Sequence, residues 1–423
     1  MLYQQITQNC FLPKIGAAGI SEQALHKHQT ELIPAIEWLE SIKGTGQLPL
    51  LDLPFETADF GEIRAVADCI RAFGHCVVLG TGGSSLGGQL LVSAFKPPFA
   101  TPKTTLHFVD NVDPETLHAM VTQLPLADTF FLIISKSGGT AETLMQTLLV
   151  LDALTTPEAR AKQIAAITIP EANPLRRIAE KNGIPLLAHD PHVGGRFSAL
   201  SLVGLIPAAV AGIDIAAIRN GAASVVRDLY ENKEKSAAAL GAALQYSVMA
   251  TGKNINVMMP YSDRLRQLGS WYCQIWDESL GKQGKGTTAV AAVGSVDQHS
   301  QLQLYLEGPK DKLITFVFLG HQGKGPVIHD IQGEASLEYM QGKPAGELIA
   351  AQQDATAQTL IKKGVPVRMF QIDGVREETL GALMMHLMVE TILVADLMGI
   401  NAFDQPAVEE GKILAREYLQ KRA

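Results

Sequence analysis

The chain has 423 residues, of which 47% are hydrophobic and 18% are charged, a composition typical of globular proteins that excludes a disordered chain. A net charge of −8, without any long run of Lys or Arg, argues against nucleic acid or an anionic membrane surface as a partner. Four cysteines without C-x-x-C spacing exclude a disulfide framework and a cysteine-based zinc site.

The first part of the chain is predicted to be helical. Residues 1–11 lack the basic start and apolar run of a signal peptide, so we expect a soluble cytoplasmic protein. A helical pattern covers residues 21–43, with Ser21 as its N-cap, and a Gly- and Pro-rich connector follows at 44–54. Residues 1–45 are therefore expected to form an N-terminal helical segment that packs on the second domain.

The next part of the chain alternates short apolar runs with amphipathic segments. The runs are rich in Val, Ile, Leu and Phe and are bounded by turn-forming residues. Continuous apolar runs of this kind are typical of parallel strands covered by helices on both faces. The pattern predicts a first α/β domain over residues 46–212. Its strands are expected at 76–80, 105–110, 130–135, 164–169 and 185–189.

The same pattern starts again after a helical region at 214–251. The apolar stretch 199–213 that precedes it is too short to span a bilayer, so we expect no membrane segment there. The fold class is therefore α/β, with two doubly wound parallel-sheet domains in series and extra N- and C-terminal helices. The second domain, over 213–423, is expected to contain strands at 255–260, 312–320 and 365–373 and helices at 263–280, 376–397 and 407–419.

Two of the predicted strand-to-helix turns are rich in glycine and hydroxyl side chains. They read GTGGSSLGG at 80–88 and SKSGGTAET at 135–143. Glycine lets the backbone approach an anion, and the N–H groups of the following helix can then bind it together with the hydroxyls. Neither turn matches a dinucleotide fingerprint or an ATP-binding P-loop, so NAD and ATP are disfavoured and a monophosphate is the expected ligand.

Further segments carry side chains that could do chemistry. Gln274 and Glu278 are four residues apart on one face of a predicted helix, where a partly buried carboxylate could act as a general base. Arg196 follows two glycines in GGRFS, and His299 lies in a polar turn. Gln405, seven residues before Lys412, is expected on the same face of the terminal helix. Taken singly, each of these residues also fits an ordinary surface or structural position.

Taken together in chain order, these segments resemble the motif series of glucose-6-phosphate isomerase. The resemblance runs from about residue 76 to 413; the GGRFS and FDQPAVEEGK segments are specific to that family. The two glycine-rich turns are shared more widely with sugar isomerase (SIS) domains. The resemblance implies two SIS-type domains, a sugar-phosphate substrate, and no metal or redox cofactor.

The resemblance also implies roles for individual residues. Glu278 matches the base that carries a proton between C2 and C1, and Arg196 matches the group that stabilises the cis-enediol(ate). His299, assisted by Lys412, matches the residue that opens the sugar ring; it is expected to reach the site from the neighbouring subunit of a homodimer. The remaining matches bind the phosphate or position the sugar: Ser84, Ser135, Lys136, Ser137, Thr140, Gln274 and Gln405.

The function implied is the interconversion of glucose 6-phosphate and fructose 6-phosphate in glycolysis and gluconeogenesis, by ring opening and proton transfer. Two alternatives stay open at this stage. A SIS-fold isomerase acting on another sugar phosphate would have the same phosphate loops. A sugar-phosphate-binding regulatory protein would need those loops but would not need Glu278, His299 and Lys412 together.

Overall fold

A computed structural model describes residues 2–421, which form two five-stranded sheets connected by helices. The strands are β1 (Gln4–Ile6), β2 (His75–Leu79), β3 (Thr105–Val109), β4 (Thr129–Ile134), β5 (Ile164–Thr168), β6 (Leu186–Ala188), β7 (Ile255–Pro260), β8 (Thr288–Ala291), β9 (Lys312–Leu319) and β10 (Val367–Ile372). The helices of the first part of the chain are α1 (Leu12–Ile15), α2 (Glu22–Glu31), α3 (Ile33–Ser41), α4 (Phe60–Ile70), α5 (Leu86–Phe95), α6 (Pro114–Thr122), α7 (Ala141–Ala153), α8 (Pro157–Gln163), α9 (Pro174–Lys181) and α10 (Leu202–Val210). Those of the second part are α11 (Ile215–Asn232), α12 (Ala237–Met249), α13 (Arg266–Leu280), α14 (Leu302–Glu307), α15 (Ala345–Lys362), α16 (Glu377–Leu397) and α17 (Glu409–Lys421).

The first sheet is entirely parallel and has the strand order β3-β2-β4-β5-β6. All five strands were predicted from their apolar runs, and the predictions are confirmed to within a residue or so at each end. The order reverses between β2 and β4, since the chain passes from β2 to β3 on one side and then returns to β4 on the other. Ligands of open parallel sheets bind outside the carboxyl ends of the strands at such a switch point. The two glycine-rich turns follow these two strands.

The second sheet has the order β1-β10-β9-β7-β8, and its three central strands were predicted. The two edge strands were not. β8 is short and only partly buried, and its apolar run, AVAAV at 289–293, is mostly alanine; β1, with the sequence QQI, has a single apolar residue. β1 pairs antiparallel with β10, so the second sheet is mixed and the expectation of a purely parallel sheet is wrong at this strand.

The predicted helices are confirmed with small changes. The helical pattern over 21–43 forms α2 and α3, and Ser21 caps α2 by accepting a hydrogen bond from the backbone N–H of Ala24 at 3.1 Å. α2 packs against α12, beside the second sheet. α16 is long and apolar enough to cross a membrane, but 89% of its most apolar window is buried inside the protein, where it packs against α11, α12 and α13. The domain boundaries at 45 and 212 stay a prediction.

A buried ionic network joins β10 to α16 and to the N-terminal strand. Arg368 and Glu390 are both fully buried, and the guanidinium donates to Glu390 Oε1 at 2.7 Å. His386 bonds Glu390 Oε2 at 2.9 Å and Tyr3 at 2.6 Å, while Gln5 Oε1 accepts from Arg368 at 2.7 Å. Burial would raise the pKa of Glu390, but the charge of Arg368 and the hydrogen bond from His386 outweigh it and lower that pKa to about 2.

Glu390→Gln is expected to lower the free energy of unfolding by about 3–5 kcal/mol, because it leaves the Arg368 charge buried without its counter-ion. Guanidinium unfolding at pH 7 measures the loss. The matched control is Glu180→Gln, which breaks the partly exposed surface pair with Arg176 (2.9 Å) and should cost at most about 1 kcal/mol. Equal effects of the two substitutions would contradict a stabilising role for the buried network.

The same network should make the wild-type chain sensitive to acid. The pKa of Glu390 in the folded chain, about 2, is below its ordinary value of 4.5. Its contribution to stability is therefore fully present above pH 4.5 and is lost as the pH falls toward 2. Burial also lowers the pKa of His386, which costs further stability below pH 6.5 because the unfolded chain then binds the extra proton. Unfolding curves between pH 7 and 3 measure this loss.

Candidate active site

The first glycine-rich turn packs directly on two other predicted motifs. A Cβ atom at Gly83 would lie 2.2 Å from the carbonyl carbon of Gly195 and 2.6 Å from the backbone nitrogen of Arg196. Gly82 has a φ of +59°, and a Cβ there would lie 2.9 Å from the side-chain nitrogen Nε2 of Gln274. The glycines therefore let β2, the GGRFS segment and helix α13 meet at the carboxyl edge of the first sheet.

We call the place where these three segments meet the cleft. Arg196 lies at its centre, and only 4% of this residue is exposed. Its Nε donates to the hydroxyl of Ser279 at 2.8 Å, and its Nη1 donates to Gln405 Oε1 at 3.0 Å. Nη2 donates to the backbone carbonyls of Ala402 and Asp404. Burial lowers the pKa of Arg196, while the carboxylates of Glu278 and Asp404 oppose that shift. The guanidinium is therefore held by two separate segments of the chain, helix α13 and residues 402–405.

Glu278 is bound on both carboxylate oxygens. Its Oε1 lies 3.3 Å from Arg196 Nη1, and its Oε2 accepts a hydrogen bond from Gln274 Nε2 at 3.2 Å. The second contact confirms the prediction that Gln274 and Glu278 share one face of a helix. About 29% of the Glu278 side chain is exposed, so the carboxylate is partly buried and still accessible to a ligand.

Sequence reasoning missed the residues that hold these groups in place. Ser279 is completely buried and accepts from Arg196, and Lys282 Nζ pairs with Asp404 Oδ1 at 2.8 Å and donates to the backbone carbonyl of Asn401. This ion pair connects the C-terminal end of α13 to the segment that carries Gln405. Ser279 and Lys282 both lie within ESLGK, next to Glu278, and that adjacency was the only available signal.

The second glycine-rich turn, residues 135–140, is ordered by its own hydroxyl groups. Ser135 Oγ donates to Thr140 Oγ1 at 3.1 Å, and Ser137 Oγ accepts from the backbone N–H of Gly139 at 3.2 Å. Burial lowers the pKa of Lys136, Asp190 raises it in part, and Arg196 lowers it further. The positive charge of Arg196 therefore acts on the Lys136 ammonium group. In the first turn, Ser84 is half-buried at the end of a short 3-10 helix, Gly82–Ser84.

Among the described residues, no hydrogen bond or ion pair joins His299 or Lys412 to this cluster. His299 is exposed at the end of a 3-10 helix, Val296–His299, and Lys412 is exposed and pairs with Glu409 at 2.6 Å. The prediction that Gln405 and Lys412 share one face of the terminal helix is wrong. Gln405 precedes the 3-10 helix Pro406–Val408, and α17 begins only at Glu409, because the backbone at Gln405 is not helical and Pro406 starts a new turn.

Comparison with known proteins gives one family. The sequence pattern described as phosphoglucose isomerase matches residues 56–423. Over 365 residues the chain is 40% identical to a glucose-6-phosphate isomerase from Rubrobacter xylanophilus, covering 82% of this chain and 83% of that protein.

Solved structures agree with this match. A hypothetical protein from Thermus thermophilus has 35% sequence identity and a TM-score of 0.89, and the alignment covers 99% of both chains. A glucose-6-phosphate isomerase from Chlamydia trachomatis has a TM-score of 0.82 and covers 100% of this chain and 89% of its own. With 20% identity, this second likeness concerns the fold alone.

Gly83→Ala is expected to lower the free energy of unfolding by about 1–3 kcal/mol, since the added methyl group overlaps the backbone at Gly195. The matched control is Gly139→Ala in the second turn, where a Cβ meets nothing nearer than 3.9 Å. Guanidinium unfolding of both variants tests the difference. A Gly139→Ala variant that loses as much stability as Gly83→Ala would contradict the close approach of the first turn.

Proposed function

Because the chain belongs to the phosphoglucose isomerase family, we propose that the cleft around Arg196 and Glu278 is where it interconverts glucose 6-phosphate and fructose 6-phosphate. One observation carries the proposal. A partly exposed carboxylate lies 3.3 Å from a buried guanidinium, beside two glycine- and hydroxyl-rich turns at the switch point of a parallel sheet. A base, a fixed positive charge and an anion-binding loop are the groups that isomerisation of a sugar phosphate requires.

Glu278 is proposed to carry the proton. Interconversion of an aldose and a ketose moves one proton between the adjacent carbons C2 and C1, so a single carboxylate can remove it and return it. The hydrogen bond from Gln274 and the ion pair with Arg196 hold one carboxylate oxygen of Glu278 each and so orient the carboxylate. A base held in this way needs little reorganisation during the reaction.

Arg196 is proposed to stabilise the enediolate formed between the two proton transfers. A guanidinium stays protonated even when it is buried, so it supplies a fixed positive charge to the developing oxyanion. Its other donors are already bound by Ser279, Gln405 and two backbone carbonyls, which fixes its orientation. The positive charge is therefore preorganised before substrate binds.

The remaining predicted residues are proposed to bind and open the sugar. Residues 135–140, which include Lys136, would bind the phosphate together with Ser84 and so position the reacting carbons. Gln274 Oε1 is buried and has no hydrogen-bond partner among the described residues, which leaves it free to accept from a sugar hydroxyl. His299 and Lys412 would assist ring opening.

We propose that the protein acts as a homodimer in which His299 completes the site of the partner subunit. The exposed position of His299 supports this, as do the exposed apolar side chains Val296 and Leu304 on either side of it. All the described residues of α17 are also exposed, including the large apolar side chains of Ile413, Tyr418 and Leu419. A short amphipathic helix in water gains most of its stability from packing, so we expect the exposed apolar side chains of α17 to pack against a partner.

A cytoplasmic location is also proposed. The nature of the substrate supports this, because a sugar phosphate is charged and the apolar interior of a membrane prevents the passage of charged molecules. The reaction runs in either direction according to the concentrations of the two sugar phosphates, which suits both glycolysis and gluconeogenesis. The one apolar helix of sufficient length to cross a membrane among residues 2–421, α16, is packed inside the second part of the chain.

Glu278→Gln is expected to lower kcat by about a thousandfold or more, because the amide cannot accept the C2 proton. Glucose 6-phosphate in deuterium oxide, followed by NMR, reports both deuterium at C2 and the formation of fructose 6-phosphate. Glu231→Gln, at an exposed position on α11, serves as the control and should behave as wild type. Substantial turnover by Glu278→Gln, with the fold intact, would contradict the assignment of the base.

Subunits carrying Glu278→Gln and subunits carrying His299→Ala should complement each other. If His299 acts across the interface, a heterodimer of the two has one site with both native residues and recovers about half of the wild-type activity. Co-expression with two different affinity tags allows the heterodimer to be purified and assayed. If His299 acts within its own subunit, every site keeps one lesion and no activity is recovered.

A further inference from the structure

The turn between β5 and α9 binds the back of the second glycine-rich turn. The hydroxyl of Thr168 and the backbone N–H of Ile169 both donate to the carbonyl of Lys136 at 3.2 Å. The backbone N–H of Leu175 donates to the carbonyl of Gly138 at 2.9 Å. In a trans peptide the N–H points opposite to the carbonyl, so the bonds to the Lys136 carbonyl turn the N–H of Ser137 away from β5. The contact therefore fixes the direction of the Ser137 N–H, whereas the N–H of Gly139 already donates to Ser137 Oγ at 3.2 Å.

Asn173 connects this contact to the start of α9. Its Oδ1 accepts from the backbone N–H of Arg176 at 2.9 Å and caps the helix. Its Nδ2 donates to the hydroxyl of Thr168 at 3.1 Å, and that hydroxyl in turn donates to Lys136. Asn173 and Thr168 are 5% and 1% exposed, so their hydrogen bonds are shielded from water. A chain of hydrogen bonds thus runs from the cap of α9 to the second glycine-rich turn.

Gly138 makes the close approach of the two turns possible. Its φ is +60°, and a Cβ atom at this position would lie 1.7 Å from Asn173 Oδ1. Both the backbone conformation and the lack of space require glycine here. The neighbouring Gly139 has no such constraint, since a Cβ there meets nothing nearer than 3.9 Å. The contact with Asn173 is therefore specific to one peptide unit of the turn.

We propose that Thr168 and Asn173 are positioning residues for phosphate binding, which hold residues 135–140 in the conformation that receives the phosphate of the substrate. The inference rests on the proposed function of that turn. Neither residue touches the substrate in this proposal; each acts through the carbonyl of Lys136 and the peptide units beside it. We call the hydrogen bonds that run from Asn173 through Thr168 to the carbonyl of Lys136 the relay. Loss of the relay should weaken phosphate binding and leave the proton transfer at Glu278 unchanged.

Thr168→Val removes the hydroxyl while keeping the shape of the side chain. It is expected to raise KM for glucose 6-phosphate about three- to tenfold, the effect of losing one or two buried hydrogen bonds, with kcat changed less than about twofold. Inorganic phosphate, used as a competitive inhibitor, should bind more weakly by the same factor. Thr168→Ser restores the hydroxyl and should restore both values.

Asn173→Ser separates the relay from the cap. Serine can still cap α9 but has no amide to donate to Thr168, so KM should rise as it does in Thr168→Val. In the double variant the two effects should not add, because both substitutions break the same relay. The control is Thr156→Ala, which removes the cap of the neighbouring helix α8 and should lower stability without changing KM.

The outcomes distinguish the inference from the function on which it rests. Wild-type enzyme without activity on glucose 6-phosphate would overturn the proposed function. Active wild-type enzyme, with KM and phosphate inhibition unchanged in folded Thr168→Val, would overturn the positioning role alone. A fall in kcat at constant KM, or a KM that Thr168→Ser fails to restore, would also overturn it.

Discussion

A buried guanidinium needs hydrogen-bond acceptors and a counter-ion, because an unpaired buried charge is strongly destabilising. Arg196 finds those acceptors on α13 and on the segment 401–405, which lie far apart in the sequence. The positions of Glu278 and Gln405 follow from this requirement, since both contact the same cation. The cleft is thus assembled around one positive charge, and the other groups of the site depend on where that charge is held.

The central strands could be predicted because burial on both faces leaves a continuous apolar run in the sequence. The edge strands β1 and β8 could not, since their pairing depends on neighbouring strands rather than on their own composition. Local contacts within one helix were equally accessible, and the hydrogen bond between Gln274 and Glu278 follows from their spacing alone.

Contacts between distant segments were beyond sequence reasoning. The pairing of Lys282 with Asp404 and the bond from Thr168 to the carbonyl of Lys136 join residues that no periodicity connects. Family resemblance pointed to Gln405, but its place outside the terminal helix was missed because the seven-residue spacing to Lys412 was taken as helical. The role that resemblance assigned to His299 involves a proposed second subunit, whose arrangement the sequence of one chain does not describe.

The pairing of β1 with β10 has a consequence for how the chain is made. Tyr3 bonds His386, and Gln5 bonds Arg368, so residues separated by 383 and 363 positions close the same buried network. During synthesis the first sheet can form once residue 188 has emerged, because its strands are nearly consecutive. The N-terminal strand, although made first, must wait for β10 and α16 before it finds its partners. The second sheet is therefore completed only near the end of translation.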